Sequence, residues 1–405
     1  MKTRSILTTA ASCLLVAASS AVGCSHRDSA ANDDAGDAGD DAGPPPLSFF
    51  EPSAEVFVDG HTFDDYTRDC RVEMCRHNEN TDMIAWNGAL WLVHRTAISQ
   101  TLGPNSALHV YQSTDDGASF QETALLPAPS DRDIRDPCFY VVGGQLYLKA
   151  LTRVTPPVDA SSRDTDVDTV AIAMTSSDGF TWSAQQPIGP HGWSFWRIKE
   201  NAGTYYSAAY QDGDLQVVLY TSTDGLTWTA GPLVYGVSAD TPLETELTFM
   251  PGGKLLALVR MDGTDAELLG DQGRLRTKIC WADPPYTTFS CPAEFDGQRL
   301  DGPVSFFWNG RLFVVARKHL QGTGKKRTSL FEITGDFDGG ALSINEWGQL
   351  PSAGDTSYAG VVPLDATHVL LSWYSGDLQA DPPWVLGMFD LTSIWLGPVD
   401  MSTLH

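Results

Sequence analysis

The sequence predicts an all-β fold, a six-bladed β-propeller of four-stranded antiparallel blades, on three observations. A short turn motif recurs at Ser113-Thr114-Asp115-Asp116-Gly117, Ser176-Ser177-Asp178-Gly179 and Ser222-Thr223-Asp224-Gly225, followed by an aromatic residue at Phe120, Trp182 or Trp228. A strand-turn-strand pattern recurs upstream of these turns at intervals of roughly 45 to 65 residues. Beyond residue 47 the chain is rich in Trp, Tyr, Phe, Val, Thr and Gly and sustains no 3.6-residue periodicity.

The strand-turn-strand units span residues 82–92 around Asn87-Gly88, 138–148 around Gly143-Gly144 and 197–208 around Gly203. The rest span 246–256 around Gly252-Gly253, 304–313 around Asn309-Gly310 and 360–371 around Asp365. Asn-Gly between alternating apolar residues is a strong hairpin signal, because both positions accept the positive φ of a type I′ turn. Six copies imply six blades, with a strand near residues 54–58 closing the ring against the last. The Ser-x-Asp turns resemble Asp-boxes. Their chemistry is structural: the aspartate accepts backbone N–H groups within a tight turn and the aromatic residue plugs the adjoining sheet.

The ends read differently. Lys2 and Arg4 precede an uncharged apolar run over residues 6–23, which marks residues 1–23 as an export signal. Ala21-Val22-Gly23-Cys24 resembles a lipobox, which implies lipidation of Cys24 and a chain held at the outer membrane or cell surface, facing periplasm or exterior. Residues 24–46, with the run DDAGDAGDDAGPPP, hold too little apolar surface to repay ordering and read as a tether. The propeller is expected over residues 47–405.

The first 46 residues carry six aspartates against three basic residues, a net of −3, so −22 of the chain's −25 belongs to the remainder. Such a charge repels nucleic acid and anionic membrane, so contact with a membrane is expected only through the anchor. An anionic ligand needs a local cluster of arginines. A monomer is expected, and no metal or nucleotide motif appears, so no cofactor is predicted. With Cys13 and Cys24 set aside, Cys70, Cys75, Cys138, Cys280 and Cys291 face an oxidising compartment, and one is left over. Cys280 and Cys291 flank a turn-rich WADPPYTTFS and are placed to bridge two hairpin strands.

Propeller topology sorts residues by end. Residues just before a blade's first strand and at the end of its second share the end opposite the Ser-x-Asp turns. Seven places beyond Gly88, Gly253 and Gly310 stand Arg95, Arg260 and Arg317, in GALWLVHR, GKLLALVR and GRLFVVAR. The same offset gives Tyr210 after Gly203, whereas blade two has Leu151 there and Arg153 two residues later. Equal parity on a strand means equal side-chain direction, so these arginines point to a shared site. The starts of first strands add Asn80, Asp82, Asp136, Trp196, Arg197, Glu244, Glu246, Asp301, Asp355 and Tyr358. Arginine with interspersed carboxylates and phenols suits a carboxylate-bearing sugar, since guanidinium holds a carboxylate bidentately. The competing reading pairs each arginine with a neighbouring blade's acid.

At this point residues 60–395 resemble the sialidase superfamily. LETELTFMPGGKLLALVR resembles the family segment in which a glutamate precedes a strand-turn-strand ending in a triad arginine, implying Glu244 and Arg260. RTSLFEITGD implies Arg327 as a further triad arginine, and DTSYAGVVPLDATHVLLSWYS implies Tyr358 as nucleophile. In that family a neutral tyrosine activated by glutamate attacks an anomeric carbon that already bears a carboxylate, which would repel an anionic nucleophile.

The resemblance has two gaps. The family's Arg-Ile-Pro is replaced by Asn80-Thr81-Asp82, with Arg76 upstream and Arg95 on the neighbouring strand. The loop over residues 99–111, where the family keeps its acid aspartate, contains no Asp or Glu. Asp136, Glu79, Asp82 and His94 are the candidate replacements. The expectation is an exo-acting glycoside hydrolase on an acidic glycan, with Tyr358, Glu244 and Asp136 catalytic and Arg95, Arg260, Arg317, Arg327 and Tyr210 binding substrate. A lyase acting on uronate polysaccharide and a non-catalytic carbohydrate-binding lipoprotein are the alternatives.

Overall fold

The computed structural model describes residues 54–404, apart from 102–103, 130, 155–167, 212–215, 238–239, 263–274 and 338–340. The export signal, Cys24 and the tether predicted above lie outside the described residues. Four antiparallel sheets have four strands each, in sequence order from the inside. They are β6 (Arg132–Val142) to β9 (Gln186–Pro187) through β7 (Gln145–Val154) and β8 (Thr169–Ser176); β10 (Trp193–Asn201) to β13 (Thr229–Tyr235) through β11 (Thr204–Gln211) and β12 (Gln216–Ser222); β14 (Pro242–Phe249) to β17 (Ser290–Asp296) through β15 (Leu255–Met261) and β16 (Arg276–Ala282); and β18 (Asp301–Trp308) to β21 (Ala341–Gln349) through β19 (Arg311–Leu320) and β20 (Lys325–Asp336).

The remaining strands form one eight-stranded sheet. It joins β22 (Thr356–Pro363), β23 (His368–Gly376) and β24 (Thr392–Asp400) to β2 (His77–Trp86), β3 (Ala89–Ala97), β4 (Ser106–Ser113) and β5 (Gln121–Pro127), with β1 (Glu55–Val58) paired to β24. The expectation of six separate four-stranded blades is therefore corrected: the chain is an all-β propeller arrangement with four four-stranded sheets, its first and last units being fused. The fusion is a parallel contact, His77 opposite Thr392. Thr392 Oγ1 accepts from Asn78 N at 2.8 Å and donates to Asn78 O at 2.6 Å. Hairpin periodicity carries no sign of a parallel contact between residues more than 300 positions apart.

Type I′ hairpins form where the sequence predicted them. Asn87 and Gly88 between β2 and β3, and Asn309 and Gly310 between β18 and β19, all have positive φ, which matches the right-handed twist of the flanking strands. At the same end the three Ser-x-Asp turns join third strands to fourth. Asp178 Oδ1 accepts from Phe180 N and Thr181 N at 2.8 Å, Asp224 Oδ1 accepts from Leu226 N and Thr227 N, and Trp182 and Trp228 donate back to glycine carbonyls.

Burial of both sheet faces holds the ring together. Trp91, Val93 and Leu108 pack on Ile134, Leu148 and Ile172, Leu219 and Val217 on Leu247 and Val259, and Leu258 and Ile279 on Val314 and Phe331. Val315 and Leu330 pack on Leu371 and Trp373, and Leu92 packs on Val362 and Leu370 to close the circle.

Cys280 and Cys291 form the expected disulfide across β16 and β17, Cys70 pairs with Cys75, and Cys138 is free and buried. The Cys280–Cys291 bridge closes a separation of 11 residues, for which chain entropy alone gives roughly 2–3 kcal/mol. The double replacement Cys280→Ala/Cys291→Ala should lower unfolding free energy by about that amount, read by denaturant titration; an unchanged midpoint would show that the hairpin is held without its bridge.

Candidate functional site

Every first strand is interrupted at the same height. The register of β2 slips between Glu79 and Asp82, β6 between Arg135 and Cys138, β10 between Phe195 and Ile198, β14 between Pro242 and Thr245, β18 between Asp301 and Val304, and β22 between Ser357 and Gly360. A bulge bends a strand and re-aims the side chain at the extra residue. The residues released are Asn80, Asp136, Trp196, Arg197, Glu244, Gly302 and Tyr358, and they converge at the centre of the end opposite the Ser-x-Asp turns. Asn80, Asp136, Ser357 and Tyr358 have positive φ, a conformation that non-glycine residues keep only when their surroundings enforce it.

Tyr358 is the centre of the cluster. Its Oη donates to Glu244 Oε1 in a short hydrogen bond. Glu244 Oε2 accepts from Arg260 Nη1 at 2.7 Å and from Gly302 N at 2.8 Å. The Arg317 guanidinium lies 5.1 Å from the centre of the Tyr358 ring, and Trp196 meets the ring edge-on at 5.6 Å. Gly302 passes so close that a Cβ there would stand 2.8 Å from the ring, and its φ is +56°, so only glycine seats the phenol without displacement. Burial, then the Glu244 carboxylate, pushes the phenol of Tyr358 well above its ordinary range, against Arg317 and Arg260. The hydroxyl is neutral and needs a base to act as a nucleophile.

Asp136 and Tyr358 line one small cleft with Asn80, Lys149, Trp196 and Arg197. Asn80 Nδ2 donates to Asp136 Oδ1 in a short contact, and Lys149 Nζ donates to the Asp136 carbonyl at 2.8 Å. Burial raises the Asp136 carboxyl above its ordinary range; Arg135 and Lys149 oppose the rise, and Glu244 and Glu79 reinforce it. The other candidate acids differ. Arg95 and His77 hold Glu79 down at about 2 in spite of its burial. Asp82 accepts from Arg197 and from Phe139 N. His94 is stacked on His109, and burial lowers it to about 3, so it is a neutral packing residue.

The predicted arginines are brought to this end, but each is engaged by acids of the chain. Arg95 donates to Glu79 and to Asp133, Arg260 to Glu244 and Asp262, and Arg317 to Asp355. Asp301 lies 3.1 Å from Arg260 and 3.8 Å from Arg317. His77 lies between the Arg95 and Arg317 pairs, 3.3 Å from Glu79 and 3.9 Å from Asp355. A continuous buried chain of charges thus runs from Arg95 through Arg317 and Arg260 to Tyr358.

Arg327 does not join it. Its guanidinium holds Asp381 bidentately at 2.8 and 2.9 Å. Tyr210 also falls outside the cleft, packed in the apolar layer with Val217, Leu247 and Val259. Sequence reading missed Lys149. The parity rule that selected Leu151 at the arginine register reaches Lys149 two residues earlier on the same strand, so its direction was available.

Among the described residues, His77, Glu79 and Asp355 bring one ligand atom each within 4.8 Å of one another. His77 Nδ1 donates to Asp390 O at 2.7 Å and its Nε2 lies 3.3 Å from Glu79 Oε2, while Asp355 Oδ2, 3.9 Å away, is buried without a hydrogen-bond partner among the described residues.

Because the folded value of Asp136 lies above its unfolded one, its contribution to stability is present below the unfolded value and lost as pH rises through the folded value. Asp136→Asn should therefore gain in melting temperature relative to the unsubstituted chain as pH rises from 4 to 8. Thermal scans across that range check it; a constant gap would mean the carboxyl is not held up by burial.

No family model matches this chain, and no curated protein matches it. Solved structures do. A protein of unknown function from Dyadobacter fermentans DSM 18053 is 18% identical, with a TM-score of 0.60 over 86% of this chain and 99% of its own. The intramolecular trans-sialidase from Ruminococcus gnavus, in complex with oseltamivir carboxylate, is 12% identical with a TM-score of 0.60 over 86% and 99% of the two chains. The NanB sialidase of Streptococcus pneumoniae is 10% identical, with a TM-score of 0.60 over 84% of this chain and 71% of its own. At such identities likeness speaks for architecture, and by that measure this chain has a sialidase-like fold.

Proposed function

We propose that this chain is a retaining exo-glycoside hydrolase for an acidic sugar, with Tyr358 as nucleophile, Glu244 as its base and Asp136 as acid. One observation carries the reading: the Tyr358 hydroxyl donates to a buried glutamate and faces the same cleft as the Asp136 carboxyl, which burial raises above its ordinary range. Asp136 protonates the glycosidic oxygen as that bond breaks. Tyr358 Oη bonds to the anomeric carbon while its proton passes to Glu244. Asp136, now a carboxylate, takes a proton from water, which displaces the tyrosine and regenerates the phenol with the proton from Glu244.

Two further points support the assignment. A neutral phenol attacks a carbon that carries a carboxylate without the repulsion an anionic nucleophile would meet. Arg260 and Arg317 stand beside the phenol, where positive charge stabilises the negative charge that develops on its oxygen. An exported chain held by Cys24 would meet such glycans outside the cell.

Tyr358→Phe should lower kcat on aryl glycosides of acidic sugars by on the order of 10³-fold or more. Asp136→Asn should cost roughly 10²- to 10⁴-fold on alkyl glycosides and far less on 4-nitrophenyl ones, whose leaving group needs no proton. Turnover unaffected by Tyr358→Phe rules the nucleophile out. Products absorbing in the ultraviolet would indicate a lyase, and binding without release a carbohydrate-binding protein.

A further inference from the structure

The cleft between Asp136 and Tyr358 is lined by a buried cation that, among the described residues, forms no direct ion pair with the chain's acids. Arg95, Arg260 and Arg317 are each bound to at least one carboxylate, and Arg197 is bound to Asp82 at 2.5 Å. Lys149 is different. It is 1% exposed, and among the described residues its Nζ donates to the Asp136 carbonyl and forms no ion pair. An ammonium has three donors, so two remain. Burial, outweighing the nearby Asp136 and Asp82, holds the ammonium below its ordinary range, as expected of a cation that has lost water without forming a direct ion pair.

Arg197 adds a second unused donor to the same cleft. Its Nη1 and Nη2 go to Asp82 and the Ala359 carbonyl. Its Nε is buried with no acceptor, on a residue 8% exposed. A buried N–H without a partner costs free energy, and a buried cation without an anion costs more. Two such groups lining one cleft, in a chain of net charge −25, make a receptor for a single negative charge.

We propose that Lys149 and Arg197 bind the acidic group of the substrate, in place of Arg95, Arg260 and Arg317, which carboxylates of the chain already hold. The inference rests on the acidic-glycoside reading and adds the residues that select for charge. Lys149 enters from β7 and Arg197 from β10, and both line the cleft that Asp136 and Tyr358 share, so an anion held by both sits beside the reacting centre. The site takes a monoanionic carboxylate on a pyranose ring; a neutral sugar leaves both donors unfilled.

The test uses the Tyr358→Phe chain, in which turnover is expected to be suppressed, and compares N-acetylneuraminic acid and glucuronic acid with their methyl esters by calorimetry. Preference for the free acid is expected, and Lys149→Met should reduce it roughly 10- to 100-fold, while Lys149→Arg restores most of it. Arg197→Lys keeps the charge, removes Nε and should cost about 10-fold; it is read in the same way where Lys149→Met fails to fold. A preference unchanged in Lys149→Met and Arg197→Lys overturns the inference and leaves the Tyr358 reading standing. Equal binding of acid and ester by the parent chain, or none of either, overturns the acidic-sugar reading together with it.

Discussion

Charge buried away from water must be answered within the protein, and that requirement organises one whole end of this molecule. Glu79, Asp133, Glu244, Asp301 and Asp355 are all less than a tenth exposed. Each costs several kcal/mol to desolvate, and that cost is offset only when cations and donors converge on it in good geometry. Arg95, Arg260 and Arg317 supply the cations, and backbone groups such as Gly302 N supply the rest. The hydrogen bond from Tyr358 to Glu244 exists because Arg260 and Gly302 already hold the other oxygen of that carboxylate. A buried carboxylate held on both oxygens, as Glu244 is, fixes a single arrangement, which is what a reacting group requires.

The bulges explain how six different strands supply that network. A regular strand turns successive side chains to opposite faces, so residues facing neighbouring sheets cannot also face the central axis. One extra residue per first strand breaks the alternation and turns a side chain inward. Its backbone cost is borne by Asn80, Asp136 and Tyr358 at positive φ. Strain of this kind persists where the surroundings over-determine it, and it gathers at the residues that the proposed chemistry uses.

Local signals were legible in the sequence and long-range ones were not. Asn87-Gly88 and Asn309-Gly310 declare their turns because few residue pairs accept that backbone, and the shared offset of Arg95, Arg260 and Arg317 follows from strand parity. Tyr358, Glu244 and Asp136 were legible through a family resemblance and through position at a strand start. Tyr210 misled because its register matches the arginines while its ring packs between sheets. Arg327 misled because its partner, Asp381, sits in a distant loop that no spacing rule connects to it. The fusion of first and last units escaped because a parallel bridge at His77 and Thr392 leaves no periodic trace. The neutralisation of the arginines depends on which acids face them across sheet boundaries, and one strand's pattern does not reveal its neighbour's.

The seam between β24 and β2 also fixes when the molecule can become whole. Asn78 is among the first residues of β2, and the threonine that satisfies its backbone lies 314 positions later. Until that threonine arrives, the inner edge of β2 is left without its mate and the early sheets enclose an unfinished centre. Assembly is therefore governed by a loop closure that spans nearly the entire ring, and contacts of such separation slow the approach to the native state. A chain emerging in order from its N-terminus must keep its charged residues in water until the last strand locks the circle.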